Sequence, residues 1–417
     1  MLKFEKYEGS FGIPIYHEQL PEAIKASAIM LVVFVGSADD ESVGEHGIYH
    51  WFEHLPFRGT RRFPDGYTDI NGRISRLGGD INASTSIFNT RYYAAVPTRF
   101  LGDALDVIVD MVANPLLTSE AIEAERTVIH QEIGNKLGSL RGTLGYTFNN
   151  AMFPDHPIGH PVVGSIESLN RMTPEHLREA RLKGYDQSRM AFFVSTSLPI
   201  DAFMDLLGKR FDELPQPGLS KRHRNASYGK LVWPDRKRTI IETNFGSSML
   251  IKALPTKTTK DWPDRLTQVM ISNMFSFGGL GSPLMRAVRE DRQLAYSASF
   301  GKYNTPDGAY FEIAVETNRN NLEKTEDALK IMLRDKQLRS KGWFDTIRTS
   351  FRNEWEMQVI SPRLRVMTAA DEVSSLGHPI SEEEYYDLLD KVSFDEVVSV
   401  IDSLSLDDAY TFIMSGK

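Results

Sequence analysis

The 417-residue chain contains no cysteine. Disulfides are therefore excluded, and so are thiolate ligands; any metal would have to be held by histidine and carboxylate. Long apolar runs are also missing: the longest, residues 28–35, is far too short to cross a bilayer. There is no excess of positive charge. Lys and Arg number 48 against 56 Asp and Glu, a formal net charge of -8, which favours solubility and lacks the basic footprint of a nucleic-acid partner. The first residues, Met1-Leu2-Lys3-Phe4-Glu5-Lys6, carry no apolar segment of a secretory signal and are not rich in Arg and Ser like a transit peptide. Together these absences point to a cytoplasmic chain with neither membrane nor nucleic acid as partner. The hydrophobic fraction of 41% and aromatic fraction of 10% are those of a globular protein. The length calls for about two or three domains.

What the sequence does contain is His50-Trp51-Phe52-Glu53-His54. On a helix, residues four apart lie one turn from each other on one face, so the two imidazoles can converge on a single ion. Glu53 flanks that face without having to be a ligand. The HxxEH order is the reverse of the commoner HExxH zinc motif. Two neutral imidazoles and a carboxylate, with a fourth position left to water, make a catalytic zinc site. A lone histidine pair is usually an ordinary surface feature, so the metal reading leans on context. Downstream, Glu125 and Glu132 stand seven residues apart, two turns along one stripe of a predicted helix. That stripe is a solvated acidic face unless it turns toward the histidines. His130 lies on another face.

The hydrophobic pattern predicts paired strands over 12–18 and 24–35, a hairpin over 80–86 and 91–96, and a closing strand over 190–197. The motif helix opens near 43–47, and Pro56 ends or bends it. Further helices are predicted at 67–77, 98–113 and 119–137, with another starting at Thr173-Pro174. Residues 213–228 then break the pattern with Pro215, Pro217, Gly218 and the basic run Lys221-Arg222-His223-Arg224, and read as a linker. Beyond it the order repeats: strands at 239–242 and 248–254, helices at 265–277 and 283–289, a hairpin at 295–300 and 310–317, and helices over 321–376. This predicts an α+β protein of two similar domains, 1–212 and 229–417, each a mostly antiparallel mixed sheet packed with helices. The second half has no HxxEH, so one metal per chain is expected. Phe277-Gly278-Gly279-Leu280-Gly281 lacks the Lys-Ser/Thr of a phosphate-binding loop and reads as a turn.

Several stretches together carry a family likeness. They are residues 12–18, Gly47 to His54, Phe57-Arg58-Gly59-Thr60, residues 77–83, Phe153-Pro154-Asp155-His156-Pro157 with Gly164, and residues 284–290 followed by Leu294-Ala295-Tyr296. Over nearly its whole length the chain resembles the pitrilysin/insulinase family of inverzincin zinc peptidases, which includes insulin-degrading enzyme and the mitochondrial processing peptidases. It is most similar to the short two-domain bacterial type. It departs from the family pattern at Pro56, where many relatives continue the helix, at Gln293, where a glycine is common, and at Ser195-Thr196-Ser197, where the strand end usually contains glycine.

The resemblance implies a processing-peptidase-like fold and a zinc metalloendopeptidase. By its pattern His50, His54 and Glu132 hold one Zn2+ per chain, Glu125 supports the ligands, and Glu53 is the general acid-base group. Arg289 and Tyr296 match the family's substrate-binding pair, which helps with the charge of the tetrahedral intermediate. Asn82 and Ala83 match its edge strand, to which an extended peptide adds. The implied substrates are short or unfolded polypeptides in a closed chamber of four related domains. A chain this long supplies two, so a homodimer is expected. The alternative is a non-catalytic or partner-dependent assembly subunit of the same family. Those members typically lose a ligand or the base, whereas this chain keeps His50, Glu53, His54 and Glu132.

Overall fold

A strand buried on both faces cannot alternate polar and apolar residues, and residues 28–35 do not. The computed structural model describes residues 3–8, 12–42, 44–215, 227–259, 261–358 and 361–417. In it, strands β1 (Phe4–Glu8), β2 (Pro14–Gln19), β3 (Ala26–Val33), β4 (Asp80–Thr85), β5 (Thr90–Pro97) and β6 (Met190–Thr196) form one sheet in the order β1-β2-β6-β3-β5-β4. The helices of this part of the chain include α1 (Ile48–His54), α2 (Tyr67–Arg76), α3 (Leu101–Ala113), α4 (Ser119–Leu137) and α5 (Leu140–Met152).

Ala28, Met30 and Val32 pack with Tyr16, Tyr93 and Phe193 against the helix Pro362–Leu376 through Val366, Ala369, Ala370 and Val373. The intervening Ile29, Leu31 and Val33 are equally buried and point to the opposite face, where α3 packs. The expected pairing of β2 with β3 is wrong. Strand β6, buried along its whole length, lies between them, parallel to β2 and antiparallel to β3. Periodicity reports that a strand is buried but not which strand lies beside it. The hairpin of β4 and β5 forms as expected and leaves β4 at the edge of the sheet.

The second sheet contains β7 (Arg238–Glu242), β8 (Ser248–Thr256), β9 (Ala295–Thr305), β10 (Gly308–Thr317) and β11 (Tyr410–Ser415), in the order β7-β11-β8-β10-β9. Here β7 is parallel to β11 and every other pair is antiparallel. The first sheet repeats this scheme in β2-β6-β3-β5-β4 and adds β1 outside it. The weak repeat in the sequence is thus a repeat of strand order.

The compact units do not follow the expected boundaries of 1–212 and 229–417. One comprises Met1–Asn135, Pro154–Tyr228 and Gln358–Glu382; the other comprises Lys136–Phe153, Gly229–Met357 and Glu383–Lys417. Helix α5, from the first half of the sequence, sets Phe148 against Tyr310 and Phe412 of the second sheet. The helix Pro362–Leu376, from the second half, covers the first sheet. An apolar stripe shows that a helix has a face to bury without naming the sheet that buries it. Of the expected linker, 216–226, including the basic run, lie outside the described residues. Among the described residues no helix is long and apolar enough to cross a membrane.

The helix Pro362–Leu376 is tied down by a buried ion pair. Arg365 Nε donates to both oxygens of Glu18, at 2.7 and 2.6 Å, and Ser195 Oγ donates to Glu18 Oε2 at 2.7 Å. Glu18 is fully buried. Arg365→Met removes the counter-charge and leaves that carboxylate behind, which should cost about 3–5 kcal/mol of unfolding free energy. Urea denaturation checks this; a loss under about 1 kcal/mol would mean that the pair does not clamp the helix.

Candidate metal centre

Helix α1 is short, and its position comes from what surrounds it. Gly47 precedes it at φ 88°, a left-handed conformation that glycine adopts without strain. A Cβ there would lie 2.7 Å from the backbone of Gly164. The buried Asp40 carboxylate accepts the N–H groups of Gly47 at 2.6 Å and Tyr49 at 3.3 Å, donors that a helix N-terminus leaves open. Burial pushes the Asp40 carboxyl well up, against the lowering effect of those two hydrogen bonds. Ile48, Tyr49, Trp51 and Phe52 are fully buried, so the helix cannot rotate. The remaining face presents His50, Glu53 and His54. Pro56 then converts the chain to a 3-10 turn over Leu55–Arg58, as its missing N–H requires.

The His50 and His54 rings lie 4.6 Å apart between centroids, and donor atoms of His50, Glu53 and His54 fall within 4.8 Å of one another. From α4, Glu132 Oε2 lies 3.6 Å from His50 Nε2 and 4.0 Å from His54 Nε2. Ligands on a tetrahedral zinc are about 3.4 Å from each other, given metal–ligand bonds near 2.05 Å. The Glu132 oxygen already lies close to that spacing from each of the two imidazole nitrogens. The residues present therefore fit a zinc ion with one position open. Two carboxylates border the imidazoles, and they are differently engaged. Glu53 Oε2 accepts a hydrogen bond from Thr85 Oγ1 at 3.1 Å, whereas Glu132 Oε2 faces both Nε2 atoms. Burial raises the Glu53 carboxyl, opposed by His54 and Thr85.

Glu125 is completely buried on the same stripe of α4 as Ile122 and Ile129. Its Oε1 lies 2.8 Å from His54 Nδ1, and its Oε2 accepts from Arg58 Nε. Burial would raise this carboxyl; the hydrogen bonds from His54 and Arg58 outweigh it and hold it below its ordinary value. A proton on Nδ1 leaves Nε2 with the lone pair a metal needs. The stripe carrying Glu125 and Glu132 thus does turn toward the histidines. His130 points elsewhere, with Nε2 3.1 Å from Asn170 Oδ1. Three contributors escaped the sequence reading: Thr85, Arg58 and Asp40. Arg58 stood inside a quoted motif without a role, and nothing in the local pattern of Asp40 distinguishes it from the acidic residues beside it.

On the edge strand β4, Ile81, Ala83 and Thr85 share one face, and Thr85 brings that face to Glu53. Asn82 is exposed, and its Oδ1 accepts the Ala83 N–H at 2.8 Å.

Arg289 and Tyr296 belong to the other compact unit. They meet each other: Arg289 Nη1 donates to the Tyr296 carbonyl at 3.2 Å, and its guanidinium sits 5.2 Å from the Tyr296 ring centroid. Tyr296 is 77% exposed. Both line a cavity of about 370 Å³ with Ser247, Glu316 and Asn318. The helix expected over 283–289 differs from expectation. It begins as α-helix over Pro283–Met285 and widens into a π-turn over Arg286–Glu290, closed by the Asp291 N–H on the Arg286 carbonyl at 3.0 Å. Gln293 adopts φ 54°, so the chain keeps the left-handed turn that glycine would make there and bears the steric cost.

Comparison with known proteins adds to this geometry. The family model described as Insulinase (Peptidase family M16) matches residues 19–164, and that described as Peptidase M16 inactive domain matches 171–346. An uncharacterized zinc protease of Mycobacterium leprae is 30% identical over 296 residues, 69% of this chain and 63% of that protein. The match thus spans somewhat under two thirds of that relative. An uncharacterized zinc protease of Rickettsia bellii is 25% identical over 394 residues, 93% of this chain and 91% of that protein. In fold, the chain superposes on a protease from Helicobacter pylori with a TM-score of 0.86 at 19% identity, covering all of both chains. It superposes on a peptidase M16 inactive domain from Pseudomonas fluorescens with a TM-score of 0.84 at 16% identity, covering 99% of this chain and 98% of that one.

Proposed function

The chain belongs to the insulinase family, peptidase family M16, and on that premise we propose that it is a zinc-dependent endopeptidase of short or unfolded polypeptides. The observation that carries this reading is the approach of Glu132 Oε2 to both histidine Nε2 atoms, with Glu53 beside them and held by Thr85. In this reading His50, His54 and Glu132 hold one Zn2+. When bound, it would supply Lewis acidity, polarising a peptide carbonyl and making a water more acidic. The Glu53 carboxylate takes the proton of the attacking water and passes it to the leaving amine. Being buried and tethered to Thr85, it needs little reorganisation to do so. An extended substrate adds to the open edge of β4 beside Asn82 and Ala83, through main-chain hydrogen bonds that demand little of its sequence. Arg289 and Tyr296 bind substrate and stabilise the developing negative charge.

This reading predicts that unstructured peptides are cut, that a chelator stops the cutting and zinc restores it, and that stably folded proteins are spared. Peptide digestion followed by mass spectrometry checks this. Chelator-resistant cleavage, or efficient cleavage of a tightly folded domain, would overturn it.

The proposal includes a homodimer in which Arg289 and Tyr296 serve the partner's zinc site, because one chain supplies only two of the chamber's four domains. Mixing inactive Glu53→Gln with inactive Arg289→Ala tests it. Random exchange makes half the dimers mixed, each with one good site, so about a quarter of wild-type activity should return. Exchange without rescue would place the pair's action within its own chain.

A further inference from the structure

The metal centre concentrates negative charge in a confined space. Glu53, Glu125 and Glu132 all approach the two histidines, and Glu125 is wholly shielded from water. The cation in contact with Glu125 is Arg58, whose Nε donates to Glu125 Oε2. Its guanidinium lies 5.4 Å from the ring centroid of Tyr67, which in turn stacks on Phe57 at 5.8 Å. Arg58 is thus held on an aromatic surface while it reaches the buried carboxylate. Three carboxylates and one guanidinium leave a formal charge of -2 on the cluster, the complement of a divalent cation.

Glu125 has two anchors, His54 Nδ1 on one oxygen and Arg58 on the other. Removing Arg58 leaves a buried carboxylate with an oxygen unmatched, and such a group moves or draws in water to satisfy itself. The His54 ring, oriented through the same carboxylate, moves with it. We infer that Arg58 is a positioning residue of the metal centre, acting through Glu125 to fix the His54 ring with Nε2 toward the metal. The inference rests on the zinc reading above and adds to it a residue four positions beyond the motif.

Simple electrostatics and positioning predict opposite signs. As a mere nearby positive charge, Arg58 repels a cation, and its loss would tighten metal binding. As the anchor of Glu125, its loss weakens binding.

The test is zinc affinity, measured by competition with a chromophoric chelator, together with the visible spectrum of the cobalt-substituted protein. Arg58→Met should weaken zinc binding about 10- to 100-fold, the range of outer-shell partners, and shift the cobalt bands. Arg58→Lys should fall between Arg58→Met and wild type, because its ammonium can still donate to Glu125 but loses the planar contact with the Tyr67 ring. In a Glu125→Gln background, Arg58→Met should add less than about threefold, since there is no carboxylate left to hold. That pair of variants also supplies the test if Arg58→Met alone fails to fold. Unchanged or tighter zinc binding by Arg58→Met overturns the inference, and so does a full additional loss in the Glu125→Gln background. If wild type binds zinc and Glu125→Gln weakens it while Arg58→Met does not, only the role of Arg58 falls. If wild type takes up neither zinc nor cobalt, the zinc reading falls and the inference with it.

Discussion

Glu53→Gln is expected to lose about 100- to 10,000-fold in peptide turnover while keeping its zinc, the range for removal of a general base. Gln has the shape of Glu, and its amide oxygen can still accept the Thr85 hydroxyl that Glu53 Oε2 accepts at 3.1 Å. The helix is fixed by its neighbours rather than by Glu53, so the ligands stay in place. Only the proton acceptor is lost. The loss should fall on kcat rather than on KM, because the substrate contacts proposed for the edge strand and the Arg289–Tyr296 pair are untouched. Steady-state kinetics on a fluorogenic peptide, with metal analysis of the same sample, checks both halves. Activity equal to wild type would remove Glu53 from the mechanism and leave Glu132 as the next base to consider.

Glu132→Gln should fail in the opposite way, by losing the metal. A neutral amide is a poor substitute for the carboxylate oxygen that sits 3.6 and 4.0 Å from the two ring nitrogens. Zinc affinity should fall by more than about 100-fold, beyond the range expected of outer-shell partners such as Glu125. The stability cost is small, because the Glu132 side chain is 30% exposed. The thermal midpoint of the metal-free protein should therefore not move. If Glu132→Gln binds zinc normally, the third ligand is elsewhere, with Glu125 the first alternative.

The site was more legible in the sequence than the architecture around it, for a physical reason. His50 and His54 share a helix face because a helix turns every 3.6 residues, and Glu125 and Glu132 share a stripe for the same reason. Local periodicity is enough for both. That the stripe turned toward the histidines came from the resemblance; in the structure Glu132 and Glu125 lie beside the two rings. The insertion of β6 between β2 and β3, and the transfer of α5 and the helix Pro362–Leu376 to the sheet of the other half, depend on long-range pairing. Periodicity carries no record of it. Thr85 was missed for a related reason, since it acts on α1 from the end of an edge strand; Asp40 lies only seven residues before Gly47, in the turn that leads into α1, and its acidic neighbours hide it. The π-turn at Arg286–Glu290 closes its hydrogen bond one residue later than an α-helix does, which no hydrophobic pattern of that length can register.

The central claim is that His50, His54 and Glu132 make one zinc site. Elemental analysis of wild-type protein purified with zinc present, beside His50→Ala, tests it most directly. About one zinc per chain in the wild type, lost in His50→Ala and removable by chelator, is the predicted result. A wild-type chain without zinc, or a His50→Ala chain that keeps it, would contradict the claim.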